Sequence, residues 1–268
     1  MKESLAKLNQ SQLQAVTHED GPLLIVAGAG TGKTTVLVNR LAYLALEKKI
    51  PTDNILLLTF TEKAAGEMEA RADQVLPYGY VDLWISTFHG FGERILREFG
   101  LDIGINPAFK LLTETEQWVL IKKNLDLFNL DYYRPLGNPT KFISELIHHF
   151  SRLKDENISP EDYQAYADRL RAAQDKGVKG EDDESSELEA KRIEELVRAY
   201  RVYNQLLVDH NFLDFGDLIV YALRLFRSRP NILAYYQKKF RYIMVDESKT
   251  LIGRSMSWLS FSHRRPIT

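Results

Sequence analysis

The stretch "PLLIVAGAGTGKTTVLVNRLAYLALE", Pro22 to Glu47, sets the tightest limit on what this chain can fold into. Leu23 to Val26 form a short, wholly apolar run, the pattern of a strand buried on both faces. A glycine-rich turn follows. From Thr34 the pattern becomes helical, with Val36, Leu37, Leu41, Leu44 and Ala45 on one side. The same succession recurs twice. "NILLLTF" leads into "EKAAGEMEARADQVL", and "LWIST" leads into "FHGFGERILREFG". Strands alternating with helices predict an α/β domain whose parallel sheet is covered on both faces.

The pattern changes after Asn106. From Thr113 to Asp209 the periodicity is helical throughout, with no convincing strand. Leu120, Ile121, Leu125 and Phe128 mark one helix. Phe142, Leu146, Phe150 and Leu153 mark a second. Leu188, Ile193, Val197, Tyr200 and Leu207 mark a long third. Between them "QDKGVKGEDDESSE" reads as a solvated or disordered loop. "YIMV" then returns to the buried-strand pattern. The expected organisation is an α/β domain over 1–109 and 210–247, interrupted by a helical insertion over 110–209, with a tail of different character over 248–268.

Composition narrows the function classes. A net charge of −2 over 268 residues excludes binding nucleic acid through a blanket positive surface, so any such contact must be local. The absence of cysteine removes disulfides and thiolate metal sites, and no structural metal is expected. No apolar run approaches the roughly 20 residues that span a bilayer, and the first residues lack the apolar core of a signal peptide. A cytoplasmic location without membrane association is the expectation.

"AGAGTGKT", Ala27 to Thr34, fits a phosphate-binding loop with alanine at its first position. Gly28, Gly30 and Gly32 let the backbone curl so that N–H groups point at phosphate oxygens, flanked by Ala29 and Thr31. The following helix aims its N-terminus at the same anion. Lys33 would reach the β and γ phosphates of ATP, and the Thr34 hydroxyl would ligate Mg²⁺, a cation that prefers oxygen. "YIMVDE" supplies acids at a strand end: Asp246 to hold Mg²⁺ and Glu247 to orient or deprotonate the attacking water. Alone, an Asp-Glu pair is a weak signal; with the loop it becomes strong.

With these motifs the chain resembles the UvrD/Rep/PcrA-like superfamily 1 DNA helicases over residues 5–247. "LNQSQLQAV" is similar to the family's Q motif, "LLTFTEKAAGEM" and "STFHGFGERILR" to its DNA-contact motifs, and "FLDFGDLI" to a further short motif. The resemblance implies a RecA-like P-loop NTPase sheet with an inserted helical subdomain flanking DNA. It implies that Gln12 reads adenine, that Ala27 to Thr35 line the nucleotide, and that Lys33 and Glu247 are catalytic. Single-stranded or partly duplex DNA is the implied partner, held by Phe60, Thr61, Lys63, Thr87, Phe88 and His89. Aromatic stacking and polar backbone contacts suit such a site without a large net charge. The plain alternative makes Phe60 and Phe88 core aromatics and His89 a helix-start residue. Asp214 and Asp217 read equally well as a helix-start acid pair. Many relatives carry arginine where this chain has Thr35, which implies weaker base stacking.

After Glu247 the family pattern stops. Back-translated with one T restored, "SKTLIGRSMSWLSFSHRRPIT" permits "FQDTNRSQYELVKLFSPQTNN", which resembles the family's continuation. The expectation is a frameshift after Glu247, an incomplete sheet and a chain unable to unwind DNA alone. A noncatalytic single-strand-binding adaptor and a phosphate-loop phosphotransferase of another class are the competing readings.

Overall fold

The computed structural model describes residues 5–28, 30–76, 83–133, 141–174 and 183–246. The chain divides into two compact units, Met1–Ile103 with Ala222–Thr268, and Gly104–Tyr221. The fold is mixed, rich in helix, with a small parallel sheet.

The first unit is built on strands β1 (Ile55–Thr59), β2 (Trp84–Thr87) and, late in the chain, β5 (Tyr242–Val245). They pair in the order β2-β1-β5, both pairs parallel, with Leu57 opposite Ile85 on one side and Met244 on the other. Every residue of β1 is buried, as a central strand with both faces covered requires. On one face Ile55 and Leu57 pack with Leu37, Val38 and Leu41 of α2 (Lys33–Leu46) and with Met68 and Ala72 of α3 (Glu62–Val75). Leu56 pairs with Trp84, so the two share the opposite face. There Trp84 meets Phe91 of α4 (Phe88–Phe99) and Phe240 edge-on, at centroid distances of 5.8 and 5.0 Å. Burying each such side chain contributes about 1.5–3 kcal/mol.

Helix α1 (Gln10–Thr17) is tied to α2 by a buried arginine. The Arg40 guanidinium donates to the carbonyls of Ala15, Val16 and His18 at 3.1, 3.2 and 2.9 Å, satisfying the C-terminal carbonyls of α1.

The run Leu23–Val26 departs from the sequence expectation. Residues 22–28 belong to no strand, and Leu24 and Val26 are 77% and 83% exposed. Among the described residues β5 has β1 on one side and no strand on its other edge. An apolar strand is buried only if a neighbouring strand completes its ladder.

The second unit is helical. It comprises α5 (Glu114–Lys123), α6 (Lys141–Asp155), α7 (Pro160–Gln174), α8 (Asp183–Asp209) and the start of α9 (Phe215–Ser228). Leu120, Ile121, Phe128, Phe142, Leu146, Phe150, Leu153, Val197, Tyr200 and Leu207 form its core, as their periodicity predicts. Leu188 is exposed, and Leu125 and Ile193 are partly buried against that core. Of the expected charged loop, residues 175–182 lie outside the described residues, and α8 begins at Asp183. A two-residue parallel pairing of β3 (Lys110–Leu111) with β4 (Phe212–Leu213) joins the two ends of this unit, a bridge too short to show in sequence. Helix α10 (Pro230–Lys239) returns to the first unit ahead of β5.

Candidate functional site

The turn after Val26 is shaped by its glycines. Gly30 and Gly32 have φ of +74° and +88°, a region that costs side chains dearly. Gly32 directly precedes α2 and lies against Gln12, whose Nε2 would stand 3.0 Å from an added Cβ. The Gln12 amide bonds through both its nitrogen and its oxygen. Its Nε2 donates to the Thr31 carbonyl at 3.1 Å, and its Oε1 accepts from the Asn9 N–H at 3.0 Å. Asn9 returns the bond to the Gln12 N–H at 2.9 Å, a reciprocal box that starts α1. The residue expected to read adenine therefore sits against the loop expected to hold phosphate.

Lys33 folds back over that loop. Its ammonium donates to the carbonyls of Gly28 at 2.8 Å and Ala27 at 3.2 Å, while the Thr31 hydroxyl donates to Gly28 at 2.7 Å. Thr34 is half-buried and Thr35 exposed in the first turn of α2. Ala29 lies outside the described residues.

The second group of residues gathers at the carboxyl end of the sheet, the ligand edge of open α/β folds. Because β1, β2 and β5 are parallel, Phe60 and Thr61, Thr87 to His89, and Asp246 all leave their strands at that one edge. Phe60 is 42% exposed, and Thr61 and Lys63 are exposed too. The Thr61 hydroxyl caps α3 by accepting from the Ala64 N–H at 3.1 Å. Thr87 and Phe88 are buried, and His89 is half-buried. Asp246 is buried, and its N–H extends the β5 ladder by donating to the Leu58 carbonyl at 2.9 Å. Glu247 and the tail 248–268 lie outside the described residues.

Asp214 and Asp217 occupy another place altogether, in the helical unit. Each carboxylate accepts the other's backbone N–H at 3.0 Å, capping α9 reciprocally. Both also pair with Lys154 of α6, at 2.6 and 2.7 Å. Tyr203 donates its hydroxyl to Asp214 at 2.8 Å. Burial alone would lower the Lys154 pKa, but the two aspartates hold it above the usual lysine range. Asp217 is pushed up to about 6, first by burial and then by the Asp214 charge. A Cβ on Gly216 would come within 2.8 Å of the Lys154 Cβ, so the glycine between the acids is required by close packing. Sequence reading missed Lys154. The signal was there: it falls four residues after Phe150 and eight after Leu146, on the apolar stripe of its helix.

A glycine turn feeding the N-terminus of a helix that packs on a parallel sheet, with an acid at the end of one of its strands, has the layout of a P-loop α/β domain. Comparison with known proteins makes this specific. The UvrD/REP helicase N-terminal domain matches residues 8–250, and the chain belongs to that family. It is 40% identical to the ATP-dependent DNA helicase PcrA of Bacillus subtilis over 244 residues, which are 91% of this chain and 29% of that protein. It is 39% identical to PcrA of Staphylococcus epidermidis over 92% of this chain and 30% of that one. A probable DNA helicase II homolog of Rickettsia felis is 38% identical over 90% of the chain and 33% of its own length. The chain thus spans about a third of the length of these relatives. Among the described residues no helix is long and apolar enough to cross a membrane.

Proposed function

We propose that this chain is the amino-terminal nucleotide-binding portion of a UvrD/PcrA-like ATP-dependent DNA helicase. It binds ATP with Mg²⁺ and contacts single-stranded DNA. The observation that carries the reading is the loop from Gly28 to Lys33. Its two left-handed glycines curl the backbone, and the Lys33 ammonium lies on carbonyls that it can exchange for phosphate oxygens. The residues present fit the group: a curled glycine backbone, a helix N-terminus and a cation meet at the start of α2.

Thr34 and Asp246 would supply oxygen ligands for Mg²⁺, which when bound would neutralise phosphate charge. Gln12, already against Thr31, would read the adenine. Glu247 orients the water. Phe60, Thr61, Lys63 and His89 face DNA at the sheet edge, with Thr87 and Phe88 supporting them from inside. The relatives' names mention ATP and DNA, which supports both partners.

A fluorescent ATP analogue titrated into wild type and Lys33→Ala tests the reading. Wild type should bind, more tightly with Mg²⁺, and Lys33→Ala should bind at least tenfold less tightly, as the loss of a charge-assisted contact requires (~1.5–3 kcal/mol). Equal affinities would remove the phosphate-loop assignment.

A further inference from the structure

We infer that Glu62 is a positioning residue that sets the spacing between the two loops proposed to grip single-stranded DNA; the inference rests on that reading of the loops. The ladder between β1 and β2 ends at the pair Thr59–Thr87. Beyond it the chain diverges into two segments, Phe60–Lys63 and Thr87–His89. Each segment caps its own helix. Thr61 accepts from Ala64, and Thr87 accepts from the Gly90 N–H at 3.0 Å. Neither cap ties one segment to the other.

Glu62 does. Its Oε1 accepts the Thr87 hydroxyl proton at 2.6 Å. A hydroxyl has one proton and two lone pairs. With the proton committed to Glu62, a lone pair is turned to the Gly90 N–H. The result is a relay from the Gly90 amide through Thr87 to the Glu62 carboxylate, joining the start of α4 to the start of α3. Thr87 is 2% exposed, so water has little access to compete for its hydroxyl. Charge-assisted bonds of this length are about twice as strong as neutral ones. A carboxylate in the first turn of α3 is also favoured by the helix dipole.

The relay fixes where His89 stands relative to Phe60. A strand of DNA lying over both loops meets partners at a set separation, and stacking depends on that separation. Glu62 itself is an unsuitable phosphate contact, since a carboxylate accepts hydrogen bonds and repels anions. It acts through Thr87.

The test compares Glu62→Ala, Glu62→Gln, Thr87→Val and the Glu62→Ala/Thr87→Val double variant by two readouts. The first is amide hydrogen exchange at Gly90 without DNA. Exchange should quicken in Glu62→Ala and stay near wild type in Glu62→Gln, which keeps an acceptor oxygen. The second is anisotropy of a labelled oligothymidylate at several salt concentrations. Glu62→Ala should weaken binding roughly 3- to 10-fold, the scale of one lost hydrogen bond. The salt slope should not change, because no phosphate contact is removed. Glu62→Gln should stay within about twofold, and Glu62→Ala should add nothing to Thr87→Val. Unchanged exchange at Gly90 in Glu62→Ala overturns the inference. So does tighter DNA binding by both Glu62 variants, which would make the carboxylate merely repulsive. If wild type binds no oligonucleotide, the DNA reading fails, while the exchange arm still decides whether Glu62 governs the start of α4.

Discussion

Removing a lysine ammonium from water costs several kcal/mol unless anions take the place of the solvent. For Lys154, 2% exposed, Asp214 and Asp217 do so from the far side of α8 in sequence. Lys154→Met should therefore leave two buried carboxylates facing each other and destabilise the helical unit by about 3–5 kcal/mol. Adding Asp217→Asn, which keeps the α9 cap and removes one charge, should restore part of that loss. Urea unfolding of the three proteins measures both effects. His149 gives a pH prediction. Burial, and then Arg152, hold its pKa below the ordinary value, and its ring nitrogen lies 3.0 Å from the Tyr163 hydroxyl. The folded state then binds the proton less readily than the unfolded chain. The neutral ring's contribution is complete above about pH 6.5 and is lost as pH falls through the lowered value. Stability measured by urea from pH 7.5 down to pH 5 should decline in wild type relative to His149→Gln, a comparison in which Asp217, pushed up to about 6 and gaining stability as pH falls, acts alike in both proteins. The glycine turn ahead of α2 was legible because its backbone demands are local. The Lys154–Asp214 ion pair and the Glu62–Thr87 bond were not, since these partners lie 60 and 25 residues apart in sequence.

At the level of elements, the three strands of the sheet and the helices after them follow from apolar runs and periodicity. β1, β2 and β5 lie where "ILLLT", "WIST" and "YIMV" predict them. The exception is Leu23–Val26, whose run is as apolar as that of β1. Apolar character says that a segment prefers burial; it does not supply the neighbour whose N–H and C=O groups make burial possible. In folds of the kind this chain resembles, a strand lies between β5 and the phosphate-loop strand. Among the described residues that position is unfilled. The amides of Leu24, Ile25 and Val26 should accordingly exchange with solvent orders of magnitude faster than those of Leu56, Leu57 and Leu58. Comparable protection of the two segments, read by hydrogen exchange, would show that Leu23–Val26 is a paired strand after all. The fate of Phe88 has a similar cause. Its motif position suggested a ligand contact, but the burial of an aromatic at a helix start depends on what packs above it.

For the whole molecule, a sheet edge that is unpaired among the described residues and the exposed Leu24 and Val26 are liabilities for stability and solubility. The first unit should melt broadly and at lower temperature than the helical unit, with binding of an apolar dye ahead of the main transition. A single sharp transition by calorimetry, with no dye binding, would count against this. Two ligand sites are proposed to coexist on the first unit: one for nucleotide at the loop before α2, one for DNA at the carboxyl edge of the sheet. The most direct test is hydrogen-exchange footprinting with a nonhydrolysable ATP analogue plus Mg²⁺, and separately with an oligothymidylate. Nucleotide should protect Gly30 to Val36 and leave Phe60 to Ala64 unchanged. The oligonucleotide should protect Phe60 to Ala64 and His89 to Phe91, and leave the loop unchanged. No protection by either ligand, or one footprint shared by both, would overturn the assignment of two sites.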